Sequence, residues 1–130
     1  MRTFVLDTVA LAKILFFPKD LTRLGRAIVA MAEDFGAELV VPTFVLVEAM
    51  RVGQRARPPI SLEQIVQPLM EAAYVRIEPL GTDQVLALPS LAAIRELHDR
   101  IICAHAITND APLMTTDEQI HESGLVETVW

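Results

Sequence analysis

The sequence predicts an α/β fold: a mainly parallel sheet with helices on both faces. Three observations predict it. Strand-like runs alternate with helical segments along all 130 residues, the order that βα units take. The strand-like runs are short and apolar, with β-branched or aromatic residues, as buried strands are. Hydrophobic residues make up 52% of the chain and aromatics only 5%. The core is therefore aliphatic, which suits a sheet packed between helices better than an aromatic-rich sandwich.

The first strand is "RTFVL", residues 2–6. A helix follows from Thr8 to about Phe17, with Ala10, Leu11, Ile14 and Leu15 on one face, and Pro18 stops it. Residues 21–36, "LTRLGRAIVAMAEDFG", form an amphipathic helix closed by Gly36. "ELVV", 38–41, is a strand, and Pro42 opens the next helix as a first-turn proline. That helix, "TFVLVEAMRV", runs to Gly53, and "GQRARPP", 53–59, is the most loop-like segment. Ser61 is a good N-cap for a helix over 61–73, which Pro68 should kink or shorten. "YVRIEP", 74–79, is a strand, and 82–97 is helical but broken near Pro89. A helix over 98–110 ends at Asn109, and "PLMT", 112–115, is a strand. A short helix at 117–124 and a last strand at 125–129 complete the chain.

Length and composition bound the rest. A chain of 130 residues is one domain, 1–130, able to bury a core without staples. A lone cysteine, Cys103, makes no internal disulfide and points to a reducing compartment. No apolar run is long enough to span a membrane, and the opening "MRTFVLDT" lacks a signal-peptide layout. Together these predict a cytoplasmic protein. A net charge of −6 excludes a generic nucleic-acid coat.

Four carboxylates carry the chemistry. Asp7 directly follows the first strand, and Asp117 follows the strand "PLMT" by one residue. Glu48 lies in the first turns of its helix, amid apolar neighbours, and Asp99 starts the helix "HDRIICAHAI". A doubly wound sheet gathers such positions at its carboxyl edge, where ligands bind. Crowded carboxylates raise one another's pKa, so divalent cations are the natural partners of such a cluster. Oxygen-only ligands favour hard ions such as magnesium or manganese. Each acid also has a plainer role open to it. Asp7, Asp99 and Asp117 could each cap a helix, and Glu48 could pair with Arg51.

The motifs "FVLDT", "VEAMR", "HDRIICAHAI" and "APLMTTD", in that order from residue 4 to residue 128, resemble the PIN-domain family of metal-dependent ribonucleases. In length the chain is similar to VapC-type toxins of toxin–antitoxin modules. The resemblance implies a three-layer α/β/α sandwich, bound Mg2+ or Mn2+, and endonucleolytic cleavage of RNA. It also implies a homodimer and inhibition by a cognate antitoxin. Asp7, Glu48, Asp99 and Asp117 match the family's acidic, metal-binding set, and Thr8 and Thr115 match its supporting positions. Val9 departs from it, standing where the family has serine or another polar residue.

Outside this set, Arg51, Arg55 and Arg57 could touch RNA phosphates or simply form a solvated loop. Arg100 could face the scissile phosphate or form an ion pair. Cys103 and His105 make a Cys-x-His pair without further ligands at zinc spacing, so Cys103 is read as core. His98 is read as a capping or surface residue. Two rival functions remain: a non-catalytic RNA- or protein-binding module on the same fold, and a phosphoacceptor receiver domain. The receiver reading lacks a second acid beside Asp7 and any lysine after Lys19.

Overall fold

A computed structural model describes residues 1–130. Five strands form one sheet: β1 (Arg2–Leu6), β2 (Ala37–Pro42), β3 (Val75–Glu78), β4 (Leu113–Met114) and β5 (Thr128–Val129). Their order is β3-β2-β1-β4-β5, and every pairing is parallel. Seven α-helices accompany them: α1 (Thr8–Phe16), α2 (Arg23–Glu33), α3 (Thr43–Arg55), α4 (Leu62–Glu71), α5 (Thr82–Ala87), α6 (Leu97–Thr108) and α7 (Glu118–Ser123). Consecutive residues of the central strands are buried: Phe4, Val5 and Leu6 in β1, and Leu39, Val40 and Val41 in β2. Neighbours on a strand point to opposite faces, so both faces of the sheet are covered. The predicted three-layer α/β architecture is the observed one.

The core is aliphatic, as composition predicts. Leu6, Leu11, Leu39, Ile65, Leu91, Ile94, Leu113 and Ile120 are among its largest fully buried side chains. The chain first builds outward from β1 through β2 to β3, then returns to the other side of β1 for β4. The strand order therefore reverses between β1 and β4, and a crevice opens there at the carboxyl ends of the strands.

Several boundaries differ from expectation for local reasons. Pro42 ends β2 and immediately precedes α3, whose first residue is Thr43. α3 continues to Arg55, so the first three residues of the expected loop are helical. Gly53 has a packing role: a Cβ there would sit 2.7 Å from the Ile60 carbonyl oxygen. α4 runs through Pro68 to Glu71, with the expected Ser61 cap completed by Gln64. Pro68 and Gln64 both face solvent, so water can serve the Gln64 carbonyl that the proline leaves unbonded. At the end of α2 the left-handed residue is Phe35 (φ 60°), not Gly36. Phe35 N–H donates to Ala32 O and Gly36 N–H to Met31 O, a Schellman pair. β4 and β5 are shorter than the runs that suggested them. No helix is long and apolar enough to cross a membrane.

Candidate metal centre and nucleic-acid groove

β1 delivers Asp7 to the crevice. Its backbone N–H donates to Met114 O of β4, which ties the two strands at the point of reversal. Asp7 Oδ1 accepts the Ala10 N–H at 2.8 Å and caps α1. Asp117 caps α7 in the same way, Oδ1 accepting the Ile120 N–H at 3.0 Å. Thr115 braces that turn, its hydroxyl accepting the Asp117 N–H at 3.0 Å. The capping role and the site role thus coexist: each cap engages one carboxylate oxygen and leaves the other for a different partner.

Glu48 is reached from α3. Val45, Leu46 and Ala49 of that helix are buried. The apolar setting of Glu48 in sequence is therefore the core face of α3, and Glu48 itself is half-buried at the crevice. Its Oε1 accepts the Thr8 hydroxyl at 2.6 Å, and its Oε2 lies 3.8 Å from His98 Nδ1. Arg51 makes no ion pair with it, although the helical spacing allows one. Asp99 comes from the first turn of α6, whose cap residue is Glu96.

Asp7, Thr8, Val9, Glu48, Asp99, Ile102, Thr116, Asp117 and Ile120 line one open cavity of about 240 Å³. The four acids predicted to meet therefore do so, from four separate segments. Burial pushes the Asp7 carboxyl above its ordinary value, and Asp117 and Glu48 add to the effect, while the Thr115 hydroxyl and Ala10 N–H oppose it. Burial likewise raises Asp99, with further contributions from Asp117, Glu48, Glu96 and Asp7. This is an oxygen-only acidic set in which Asp117 and Glu48 penalise the charge of Asp7 and Asp99. Such a set suits a hard divalent cation. No group of three His, Cys, Asp or Glu side chains forms a ready-made cage. The four acids share a cavity rather than a preformed coordination sphere. Magnesium is commonly held by one or two carboxylates plus water and substrate phosphates, so the donor set fits it.

A groove of about 500 Å³ adjoins the cavity through the shared residues Thr8 and Glu48. Phe17, Arg51, Val52, Arg55 and Ala56 complete its lining. Arg51 and Arg55 lie three and seven residues beyond Glu48 and so share its helix face. Arg57, beyond the end of α3, is not among the residues that line the groove. Arg100 forms no ion pair. Its guanidinium donates to the carbonyls of Ile94, Ala92 and Arg95, which anchors the turn before α6.

Sequence reasoning did not single out Thr116, Phe17 or Val52 as lining residues. Thr116 adjoins Asp117, and Val52 is one helical turn past Glu48, so spacing could have found both. Phe17 carried no such signal. The sequence leaves His98 as a capping or surface residue. It is exposed, yet it neighbours Glu48 and packs on Phe44 with ring centroids 5.1 Å apart. Cys103 is core, as expected; burial, then Asp99, Asp117 and Asp7, push its thiol to about 12.

Comparison with solved structures finds the same architecture elsewhere. VapBC2 from Rickettsia felis bound to a promoter DNA fragment matches with a TM-score of 0.74 at 12% identity, over 98% of this chain and 97% of that one. DNA-bound VapBC from Salmonella typhimurium matches with 0.70 at 13%, over 99% and 98%. Mycobacterium tuberculosis VapC20, described as a Sarcin-Ricin loop cleaving toxin, matches with 0.66 at 17%, over 96% and 98%. No curated protein matches the sequence. Identities this low establish a shared fold and no more. The sequence carries the stronger sign, since a model of the PIN domain matches residues 4–124, a span that contains all four acids of the cavity. The chain belongs to the PIN-domain family.

Proposed function

We propose that this protein is a divalent-metal-dependent endoribonuclease, the toxin of a toxin–antitoxin pair. One observation carries the reading: four carboxylates from four chain segments line one cavity beside an arginine-bearing groove, in a PIN-family chain. Asp7, Asp99 and Asp117 would hold Mg2+ or Mn2+, and Glu48 would ligate it or orient the attacking water. When bound, the ion activates water and stabilises in-line displacement at phosphorus. Glu48 is steadied for this by the Thr8 hydroxyl, which engages Oε1 and leaves Oε2 for the ion or the water. Thr115 holds Asp117 in place through its backbone N–H. Arg51 and Arg55 would neutralise RNA phosphates next to the reacting one. VapBC assemblies among the similar structures support a cognate antitoxin as partner. A homodimer and a cytoplasmic location complete the proposal.

The test is RNA cleavage by the purified protein with magnesium, with manganese and with EDTA. Cleavage should require metal, and Asp7→Asn or Asp99→Asn should each slow it by on the order of 100-fold, as removal of a group from a preorganised electrostatic site does. Wild-type rates in both variants would refute the site assignment. Metal binding without cleavage would instead favour a non-catalytic RNA-binding module, for which Val9 at the cavity wall is the motivating residue.

A further inference from the structure

We propose that the groove beside the acidic cavity is a subsite for one unpaired nucleotide, with its base stacked on Phe17 and its phosphate held by Arg51 and Arg55. The inference rests on the ribonuclease reading and adds to it a residue of this chain, Phe17, that receives an unpaired base.

Phe17 sits just past the end of α1, in a non-helical conformation (φ −133°, ψ 54°) that carries the chain into the turn at Pro18–Asp20. The residue is 54% exposed although it lines the groove, so it is accessible to a ligand. A lone exposed apolar residue needs no explanation. Phe17 is not alone. Val52 extends the apolar wall, and two arginines one helical turn apart complete it. Neither guanidinium is paired with a carboxylate: the ion pairs of this chain involve Arg76, His98 and His105 only. In a protein of net charge −6, two free arginines beside a carboxylate cavity mark a local reversal of sign.

An aromatic face together with unpaired arginines matches the chemistry of single-stranded nucleic acid, which stacks bases on aromatics and sets phosphates on cations. The groove volume of about 500 Å³ lies within the range of small-ligand sites. Because Thr8 and Glu48 belong to both spaces, a strand lying in the groove continues directly to the acids. A duplex keeps its bases stacked inside and offers no face to Phe17. An acidic peptide would also meet the arginines, but its carboxylates gain nothing from an aromatic ring over an aliphatic one.

The test uses the full-length chain carrying Asp99→Asn, so that RNA is bound rather than cut. Fluorescence anisotropy measures binding of a short single-stranded RNA, its blunt duplex, and versions with one abasic position moved along the strand. We expect single strand to bind better than duplex. Phe17→Ala should weaken single-strand binding on the order of 10-fold, as loss of one base–aromatic stack does. Phe17→Trp should restore it and Phe17→Leu should not. One abasic position should cost the same factor in the wild-type groove and nothing further in Phe17→Ala, the mark of a shared contact. Melting temperatures verify that the variants fold. Equal binding by Phe17→Ala would overturn the subsite. So would full binding by Phe17→Leu, which would show that the contact needs apolar bulk and not an aromatic face. Cleavage by the protein with native Asp99 is scored separately. Cleavage that persists while Phe17 variants bind normally refutes the subsite alone. Absence of metal-dependent cleavage refutes the ribonuclease reading.

Discussion

Replacing Glu78 with alanine should destabilise this protein more than any substitution of an exposed charge. Glu78 ends β3, and its carboxylate collects four donors. His105 Nδ1 lies 2.6 Å from Oε1, and Arg76 Nη1 donates to Oε2 at 2.6 Å. Gln84 Nε2 donates to Oε1 at 3.2 Å, and Asn109 Nδ2 reaches the two oxygens at 3.1 and 2.9 Å. Not all four suffer when Glu78 is lost. Arg76 is exposed and keeps Glu38 and Asn109, and Gln84 keeps Thr108. His105 suffers most: it is fully buried, and its Nε2 already has no partner. Leaving a buried hydrogen-bonding group without its partner costs roughly 1–3 kcal/mol. An unfolding entropy of about 2.1 cal/mol/K per residue then gives a Tm lower by roughly 4–11 °C. Glu38→Ala, which breaks only the exposed half of the network, should cost less than about 1 kcal/mol. Although burial raises the Glu78 carboxyl, the bonds from His105, Asn109 and Arg76 outweigh it and hold the group below its ordinary value. Its stabilising contribution is therefore full above the unfolded value and is lost as pH falls through the folded one. Melting curves of wild type, Glu78→Ala and Glu38→Ala, at neutral pH and in acid, provide the measurement. A Glu78→Ala loss no larger than that of Glu38→Ala, or a gap that fails to narrow in acid, would refute the reasoning.

Three further outcomes follow from other residues. Asp7 has a raised folded pKa, so without metal the wild type loses stability as pH rises through it. Asp7→Asn keeps a capping oxygen and should melt higher than wild type in EDTA at pH 7, with the gap closing toward pH 4; a lower-melting variant at pH 7 would contradict this. Gly53→Ala should lower stability by about 1–3 kcal/mol, read from denaturant midpoints, because its Cβ would meet the Ile60 carbonyl oxygen at 2.7 Å. Cys103, buried and pushed to about 12, should resist a thiol reagent at pH 8 in the native protein and react once unfolded.

What the sequence by itself determined are the features that local chemistry encodes. Alternating runs led to the parallel sheet because a strand needs only a few apolar residues and a helix only its period. The cap at Ser61 is likewise local, and so is the stop at Pro18. The family motifs led to Asp7, Glu48, Asp99 and Asp117, because each stands at a fixed offset from an element end. Tertiary structure alone decided what those side chains meet. Arg100 adjoins Asp99 in sequence, yet it turns to the Ile94 carbonyl, because a long side chain takes whichever acceptors the fold brings within reach. His105 lacked partners at zinc spacing, yet it pairs with Glu78, 27 residues away, once α6 docks beside β3. Phe17 reads as the tail of a helix, and only the packing of α1 near α3 sets it beside Arg51 and Arg55. Contacts between distant segments depend on how whole elements pack, and no short window of residues contains that information.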